Sequence, residues 1–475
     1  MNYVPNTDAE QHEMLRAVGA ETIEDLLAPI PEQVRLKRPL DLPAALPEPD
    51  LKRLLLRMSE KNGDLDHYSS FLGAGSYDHI LPSVVPHLVK RSEFYTSYTP
   101  YQPEISQGML QAIYEFQTMI CQLTGMDVAN ASLYDGSTAV VEAALLALGQ
   151  AATGEMLVSR ALDPQYRATL RTYAWARGFT VREIELESGA TSTTALEAAI
   201  SPETKAVIIQ HPNFFGSLED VRAIEHIVHK SSAIYVLAIT EPASLGVLAA
   251  PGEYGADIVV GEAQTLGSPL GFGGPALGFI ASRNAFLRRL PGRLVGKTID
   301  DRGQTGYVLT LRTREQDIRR ERATSNICTN QALLALATTV YLATLGKSGF
   351  LELSEQCLQR AHYAQEQISA VPGFTPLFTR PFFDEFAVAT PLPVVELNAK
   401  LRQRGIIGGY DLGRDYPELG NAALFCVTET RTREEIHALV AALAEIAGGV
   451  DYQANGHVAA HGASAAKSVQ SQRKG

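Results

Sequence analysis

The segment from Gly255 to Ser282, GADIVVGEAQTLGSPLGFGGPALGFIAS, holds the densest pattern in this chain that could serve chemistry. An apolar strand ends at Gly261. A polar stretch follows, then Gly267, Gly271, Gly273, Gly274 and Gly278, then a second apolar strand. Five glycines in twelve residues imply a backbone that runs close to itself, to a ligand or to another chain; a compact turn between two strands meets the same pattern without any ligand. A second site of interest is Asp135-Gly136-Ser137-Thr138, which opens a helix. Free N–H groups at a helix start favour anions such as phosphate, while Asp135 acting as an N-cap accounts for the pattern with no ligand.

Two further stretches carry recognition chemistry. In FYTSYTPYQPEISQG (94–108), Tyr95, Tyr98 and Tyr101 alternate with Pro100 and Pro103, ahead of and beside Gln102 and Glu104. The prolines favour a stiff, extended path, and tyrosines with apolar bodies and hydroxyl tips suit an interface; a loop packed on its own domain with hydroxyls in water is the alternative. In LRTREQDIRRERATSNICTNQ (311–331), Arg312, Arg314, Arg319, Arg320 and Arg322 mix with Glu315, Asp317 and Glu321. Arginine grips carboxylates through two parallel N–H groups, so this is a candidate clasp between subunits or for a substrate carboxylate. A solvated helix face with pairs such as Glu315–Arg319 is the competing expectation. His211 ends a strand at the edge expected to face a cleft, and His79 sits in a Gly/aromatic segment. Neither has a carboxylate or cysteine at ligand spacing, so both are assigned structural roles and no metal site is expected. The cysteines Cys121, Cys328, Cys357 and Cys426 form no CxxC pair, which points to buried small residues in a reducing compartment.

The elements that must position these groups are legible around them. Short β-branched runs at Met156–Ser159, Val181–Leu186, Ala206–Gln210, Ala233–Ile239 and Ile258–Gly261 alternate with helical patterns near 164–177, 193–201 and 218–230. Near-continuous apolar strands separated by helices predict a mostly parallel sheet covered on both faces. Before it, Ile113, Phe116, Ile120 and Leu123 fall at helical spacing. Thr7 and Glu10 fit a capping box, Thr22 starts a second short helix, prolines at 29, 31, 39, 43, 47 and 49 break the chain, and 51–58 reads as one more helix. Beyond 330, NQALLALATTVYLATLG and SEQCLQRAHYAQEQISAV predict two helices at a domain junction, followed by a strand at 422–428 and a helix at 433–446. The organisation expected is an N-terminal arm (1–60), a large domain (61–330), a small C-terminal domain (331–450) and a disordered Ala/Ser/Gly/Gln-rich tail (451–475).

Bulk properties bound the function. At 475 residues with 45% hydrophobic and 20% charged residues, the composition is that of a globular protein with a large core. A net charge of −12 with both signs interspersed argues against nucleic-acid binding. The N-terminus lacks a secretory pattern, and no run of 18 apolar residues predicts a membrane span, so a cytoplasmic protein is expected.

Four blocks in order, FLGAGSYDHILPSVV, YTPYQPEISQGMLQAIYEFQT, VVGEAQTLGSPLGFGGPALGF and LRTREQDIRRERATSNICTNQAL, resemble the glycine decarboxylase P-proteins. The likeness covers about residues 1 to 450 and matches the non-catalytic, N-terminal-type half of that family. It implies an α/β pyridoxal-phosphate (PLP) transferase-like fold of type I, with a smaller C-terminal α/β domain and an extended N-terminal arm. In the catalytic half, a His-Lys pair precedes a glycine-rich run closing on Gly-Pro. Here Gly273-Gly274-Pro275 match that run and Gln264 stands where the lysine would be; no lysine occurs between Lys230 and Lys297. A glutamine amide forms no imine. The Asp that would pair with the pyridine nitrogen is also missing from Ala238-Ile239-Thr240-Glu241-Pro242, leaving open whether Glu241 substitutes.

The resemblance therefore implies no cofactor in this chain, with Gly136, Ser137 and Thr138 a degenerate phosphate loop, and PLP on a homologous partner subunit. There glycine would lose CO2 and pass its aminomethyl group to the lipoyl arm of H-protein. Tyr95, Tyr98, Tyr101, Gln102 and Glu104 would lie near the partner's site. Two rival readings stay open: an autonomous PLP-dependent lyase or aminotransferase using Lys297, and a scaffold without enzymatic role.

Overall fold

Alternating apolar strands and helices between 128 and 282 build one seven-stranded sheet in the computed structural model, which describes residues 6–149, 151 and 153–448. The stretch read as a disordered tail lies outside the described residues. From one edge the strands run Val128–Ala129, Gly278–Ser282, Ile258–Glu262, Ile234–Ile239, Thr204–Gln210, Glu155–Ser159 and Thr180–Ile184. The last five are mutually parallel, and Gly278–Ser282 turns back antiparallel.

The continuous apolar runs are explained by burial on both faces. Val207, Ile209, Tyr235, Leu237, Ile239 and Val259 point to one side, packed with Ile120, Tyr341 and Phe350. Their alternates Ala206, Ile208, Val236, Ala238, Ile258 and Val260 point to the other, against Val140, Ala144 and Leu170. That period of two is the pleat of a strand. Each of the Val, Leu and Ile side chains removed from water contributes about 1.5–3 kcal/mol.

The expected strand over 181–186 ends at Ile184, and Leu186–Glu187 pairs instead with Ala190–Thr191. The two helices expected here are both present within Ala332–Ser369: Gly346, with φ of 61° and ψ of −175°, is non-helical and separates them. By length and composition the stretch Ala332–Ser369 passes for a membrane span, although neither helix was expected to be one. Its Ala335, Tyr341, Phe350 and Leu353 pack into the core beneath the sheet. Beyond it, a four-stranded antiparallel sheet runs Thr375–Pro376, Glu385–Ala389, Ala422–Cys426, Tyr410–Asp411. The helix Arg433–Gly448 adds Ile436, Leu439 and Leu443 to the core beside it.

Compact units divide after Gly63. In the first, capping boxes Thr7/Glu10 and Thr22/Asp25 start the helices Asp8–Ala17 and Ile23–Leu26, and a third helix spans Glu48–Ser59. None of the three helices buries a residue, and Val34, Leu40 and Leu42 are among its exposed apolar side chains.

The glycine run locks the sheet to the helix Gly136–Leu148. A Cβ at Gly278 would stand 2.2 Å from the carbonyl oxygen of Asp135, inside van der Waals contact with backbone that cannot turn aside. Gly278→Ala is expected to lower stability by about 2–4 kcal/mol, read as a fall in the urea midpoint at constant slope. An unchanged midpoint would show that the turn at Asp135 yields freely.

Candidate functional site

The carboxyl ends of the parallel strands bring together Gln210, Thr240, Glu241, Glu262 and the Asp135 turn, where a fold of this kind presents its cleft. At the start of the helix Gly136–Leu148, Asp135 is the N-cap, with its Oδ1 accepting from the Thr138 N–H at 2.7 Å and the Ser137 hydroxyl at 2.8 Å. The Gly136 N–H donates to Glu262 Oε2 at 2.9 Å. Glu262 Oε1 accepts from Gln264 N–H at 3.0 Å and Leu277 N–H at 2.6 Å. So the three groups expected to greet a phosphate are engaged by two carboxylates of the chain itself. Tyr166 closes the space further: a Cβ on Gly136 would lie 2.0 Å from its hydroxyl. Burial pushes the Glu262 carboxyl up, and the charge of Asp135 adds to that, against the pull of the three N–H donors.

Gln264 is half-buried and its amide donates to the Ser268 carbonyl. After it the chain passes Phe272, 82% exposed with φ of 55°, then Gly273 and Gly274 at φ of 103° and 154°. Lys297, the alternative amine, is exposed on a separate hairpin, Leu294–Ile299 with Thr305–Thr310, opposite Tyr307.

Glu241 is committed as well. Its Oε1 accepts from Ala243 N–H at 2.7 Å, and its Oε2 lies 3.1 Å from His79 Nε2. On the other side, His79 Nδ1 lies 2.7 Å from Glu429 Oε2, which also accepts from the Cys357 thiol at 3.2 Å. The expectation that His79 has no carboxylate or cysteine partner is therefore corrected: its partners come from positions 162 and 350 residues away, beyond any local spacing. His79, Cys357 and Glu429 place ligand atoms within 4.8 Å of one another, close enough to hold a metal ion, but both imidazole nitrogens already face carboxylates. Burial pulls the His79 pKa down, yet the charge of Glu241 and the bonds to Cys357, Glu241 and Glu429 outweigh it and hold the ring well above its usual value. The surroundings thus favour the charged form of the His79 ring.

The tyrosine segment is less uniform than its prolines imply. Tyr95 ends a short helix, Ser92–Tyr95, and Pro103–Ile105 form a single 3-10 turn. Tyr95, Tyr98 and Tyr101 are 57%, 78% and 50% exposed; Gln102 and Glu104 are exposed too. The side chains of Tyr95, Tyr98, Gln102 and Glu104 form no hydrogen bond or ion pair within the described chain, and only Tyr101 is drawn into a cluster. Arg293 and Arg312 lie over its ring at 5.4 and 5.1 Å, and Arg293 Nη2 donates to its hydroxyl at 3.1 Å. Nor is 311–331 a solvated helix. Arg312–Arg314, Gln316–Arg319 and Arg320–Arg322 are separate short turns, and Arg312 pairs with Asp317 at 2.7 Å where Glu315–Arg319 was expected. Arg293, in PGRLVG, and Glu262, two residues before Gln264, are the members of these clusters that sequence spacing did not flag.

His211 ends the Thr204–Gln210 strand, and its Nδ1 accepts from Glu219 N–H at 3.1 Å. Burial lowers its pKa to about 4 from 6.5, so it is neutral. The folded value lies below the unfolded one, so this stability is complete above pH 6.5 and is lost as the pH falls to 4. About 3 kcal/mol is at stake across that window. Urea unfolding from pH 7 to 4.5 should show wild type losing more stability than His211→Asn; parallel losses would refute the assignment.

The comparisons with known proteins agree over nearly the whole chain. The family model for "Glycine cleavage system P-protein" matches residues 1–443. "Probable glycine dehydrogenase (decarboxylating) subunit 1" of Moorella thermoacetica is 55% identical over 443 residues, covering 93% of this chain and 99% of that protein. Its counterpart in Anoxybacillus flavithermus is 51% identical, covering 93% and 98%. A crystal structure of glycine decarboxylase (P-protein) of the glycine cleavage system, in inhibitor-bound form, superposes with a TM-score of 0.86 at 46% identity, over 94% of this chain and all of that one. A sphingosine-1-phosphate lyase of Burkholderia pseudomallei shares the fold alone, with a TM-score of 0.62 at 15% identity over 88% and 94%. Together the strand order, the glycine run and these matches establish a PLP-transferase-like α/β fold, and the chain belongs to the glycine cleavage system P-protein family.

Proposed function

We propose that this chain is the subunit of a two-subunit glycine decarboxylase that does not hold PLP, and that it completes the active site of a homologous, PLP-bearing partner. One observation carries the reading. The amine position is an amide, and the helix start beside it is filled by the chain's own carboxylate, Glu262. A phosphate would have to displace Glu262 from three backbone N–H groups and sit beside Asp135. A pyridine ring would find Glu241 bound to His79. The residues present thus do not fit the cofactor, and no step of the reaction is assigned to this cleft.

The relatives named as subunit 1 and matched over almost their full length support the subunit role and the partner. In this reading the complex decarboxylates glycine and passes the aminomethyl group to lipoylated H-protein in the cytoplasm. This chain contributes a shaped surface that excludes water and positions the arm. The exposed, unbonded Tyr95, Tyr98, Gln102 and Glu104 are the groups offered to that contact.

The test is reconstitution. The chain alone, incubated with PLP, should show no visible imine band that borohydride reduction fixes to protein. Mixed with its partner, it should support exchange of the glycine carboxyl with bicarbonate, which neither subunit catalyses alone. A reducible imine on this chain would overturn the proposal. Gln264→Lys by itself should not create turnover, because Glu262 and Glu241 remain in place; turnover by that single variant would show that the cleft is intact. Tyr98→Ala should weaken subunit affinity or exchange by about 10-fold with the fold unchanged, and unaltered values would remove 94–108 from the contact.

A further inference from the structure

The arginine cluster around Tyr101 holds more positive charge than this chain neutralises. Arg293 is only 4% exposed. Its Nη1 donates to Asn330 Oδ1 at 3.2 Å and its Nη2 to the Tyr101 hydroxyl at 3.1 Å, while its Nε has no acceptor. Arg312 shares the Tyr101 ring and spends Nη2 on Asp317, and its Nε is likewise unpaired. Arg314 donates from Nη1 to the Leu290 carbonyl, and its Nε and Nη2 are buried with no acceptor.

Those last two atoms matter most. Nε–H and Nη2–H form one edge of the planar guanidinium, with two parallel donors set at the spacing of the two oxygens of a carboxylate. Glu315 does not fill this edge. Its field reaches Arg314, Arg293 and Arg312, yet its own Oε1 has no donor. Three guanidinium groups therefore face two carboxylates, Glu315 and Asp317. Four N–H-bearing nitrogens are sealed from water without an acceptor, an arrangement native chains do not keep at no cost.

We propose that Arg314 is the receptor of an interface salt bridge: its free edge takes an aspartate or glutamate side chain of the partner subunit when the two chains assemble. The inference rests on the subunit reading above. A substrate carboxylate is a poor occupant on chemical grounds, because a two-pronged guanidinium grip stabilises the carboxylate over the CO2 it must become. Arg314 lies in the segment built from three separate short turns, with Leu311 and Arg320 at φ of 55° and 53°. Because the edge is buried in the chain alone, the proposal requires this segment to repack at the contact so that the acceptor can enter. Exposed Tyr98 and Ile105, 78% and 81% accessible, flank Tyr101 in sequence and extend the same contact with apolar area.

The experiment uses the purified chain and its PLP-bearing partner, with Arg314→Lys and Arg314→Gln. Lysine keeps the charge and loses the paired donors, so both variants should weaken the dissociation constant of the two subunits by about 10-fold or more. At saturating partner, the KM for glycine should stay within about twofold of wild type, the change expected of a group that the substrate does not touch. Should the glutamine variant fail to fold, as judged by circular dichroism and thermal melting, the lysine variant decides. Unchanged affinity in the folded variants overturns the proposal, and so does a raised KM with unchanged affinity, which would hand the edge to the substrate. If the variants behave like wild type while wild type assembles and turns over, only this inference fails. If wild-type chains do not associate at all, the subunit reading fails with it.

Discussion

One buried carboxylate organises the cleft. Glu262 ends the Ile258–Glu262 strand and collects the N–H groups of Gly136, Gln264 and Leu277, so a strand end, a helix start, the loop and the returning strand meet at two oxygen atoms. The charge sits where the aligned helix dipoles and open N–H groups would otherwise attract a phosphate. The glycines follow from this closeness: Gly136 lets Tyr166 approach and Gly278 lets the returning strand touch the Asp135 backbone. The PLP-transferase-like fold is present, and the N–H groups at this helix start are met by the chain's own carboxylates.

How far the sequence discloses this depends on range. The parallel strands are legible because burial on both faces leaves unbroken β-branched runs, and the helix starts are legible because Thr7, Thr22 and Asp135 cap their helices within three residues. The Glu262–Gly136 contact spans 126 residues and has no local signature. The same holds for His79, whose spacing to Glu241 and Glu429 carries no periodicity. In 311–331, i,i+4 pairing is a fair inference from charge order, but Arg314 and Arg312 are drawn to Leu290, Tyr101 and Asp317, and those tertiary attractions break the segment into turns. The two helices on either side of Gly346 are legible because each keeps its own apolar pattern, and Gly346, non-helical at positive φ, separates them.

The His79 triad shows what the cleft floor is built for. It links Glu241, after the Ile234–Ile239 strand, to Glu429, after the Ala422–Cys426 strand, through one imidazolium. Nearby Glu385 binds the Ala74 N–H and the Tyr77 hydroxyl, and burial raises its pKa to about 8. Asp384 is pushed up strongly by burial and by Glu241. With one cation among four acidic groups, protonation of Glu385 and Asp384, both pushed up by burial, is a cheaper way to balance charge than leaving them bare in the interior. Such a floor is rigid and internally paired.

The distribution of unpaired atoms completes this picture. Of the ten buried side-chain atoms without a hydrogen-bond partner among the described residues, five belong to Arg293, Arg312, Arg314 and Glu315, and these are the only charged ones. At the inherited cleft, by contrast, Gly136, Ser137, Thr138, Glu241 and Gln264 are all engaged. Selection for folding alone removes orphaned charges, since each costs stability and returns nothing to the isolated chain. Their concentration in one cluster, Arg293 and Arg312 over Tyr101 with Glu315 and Arg314 in the same field, is what the proposed partner carboxylate would help to satisfy. Filled helix start and unpaired arginine edge fit the one division of labour proposed above, in which the cofactor is held by the partner and this chain supplies surface to it.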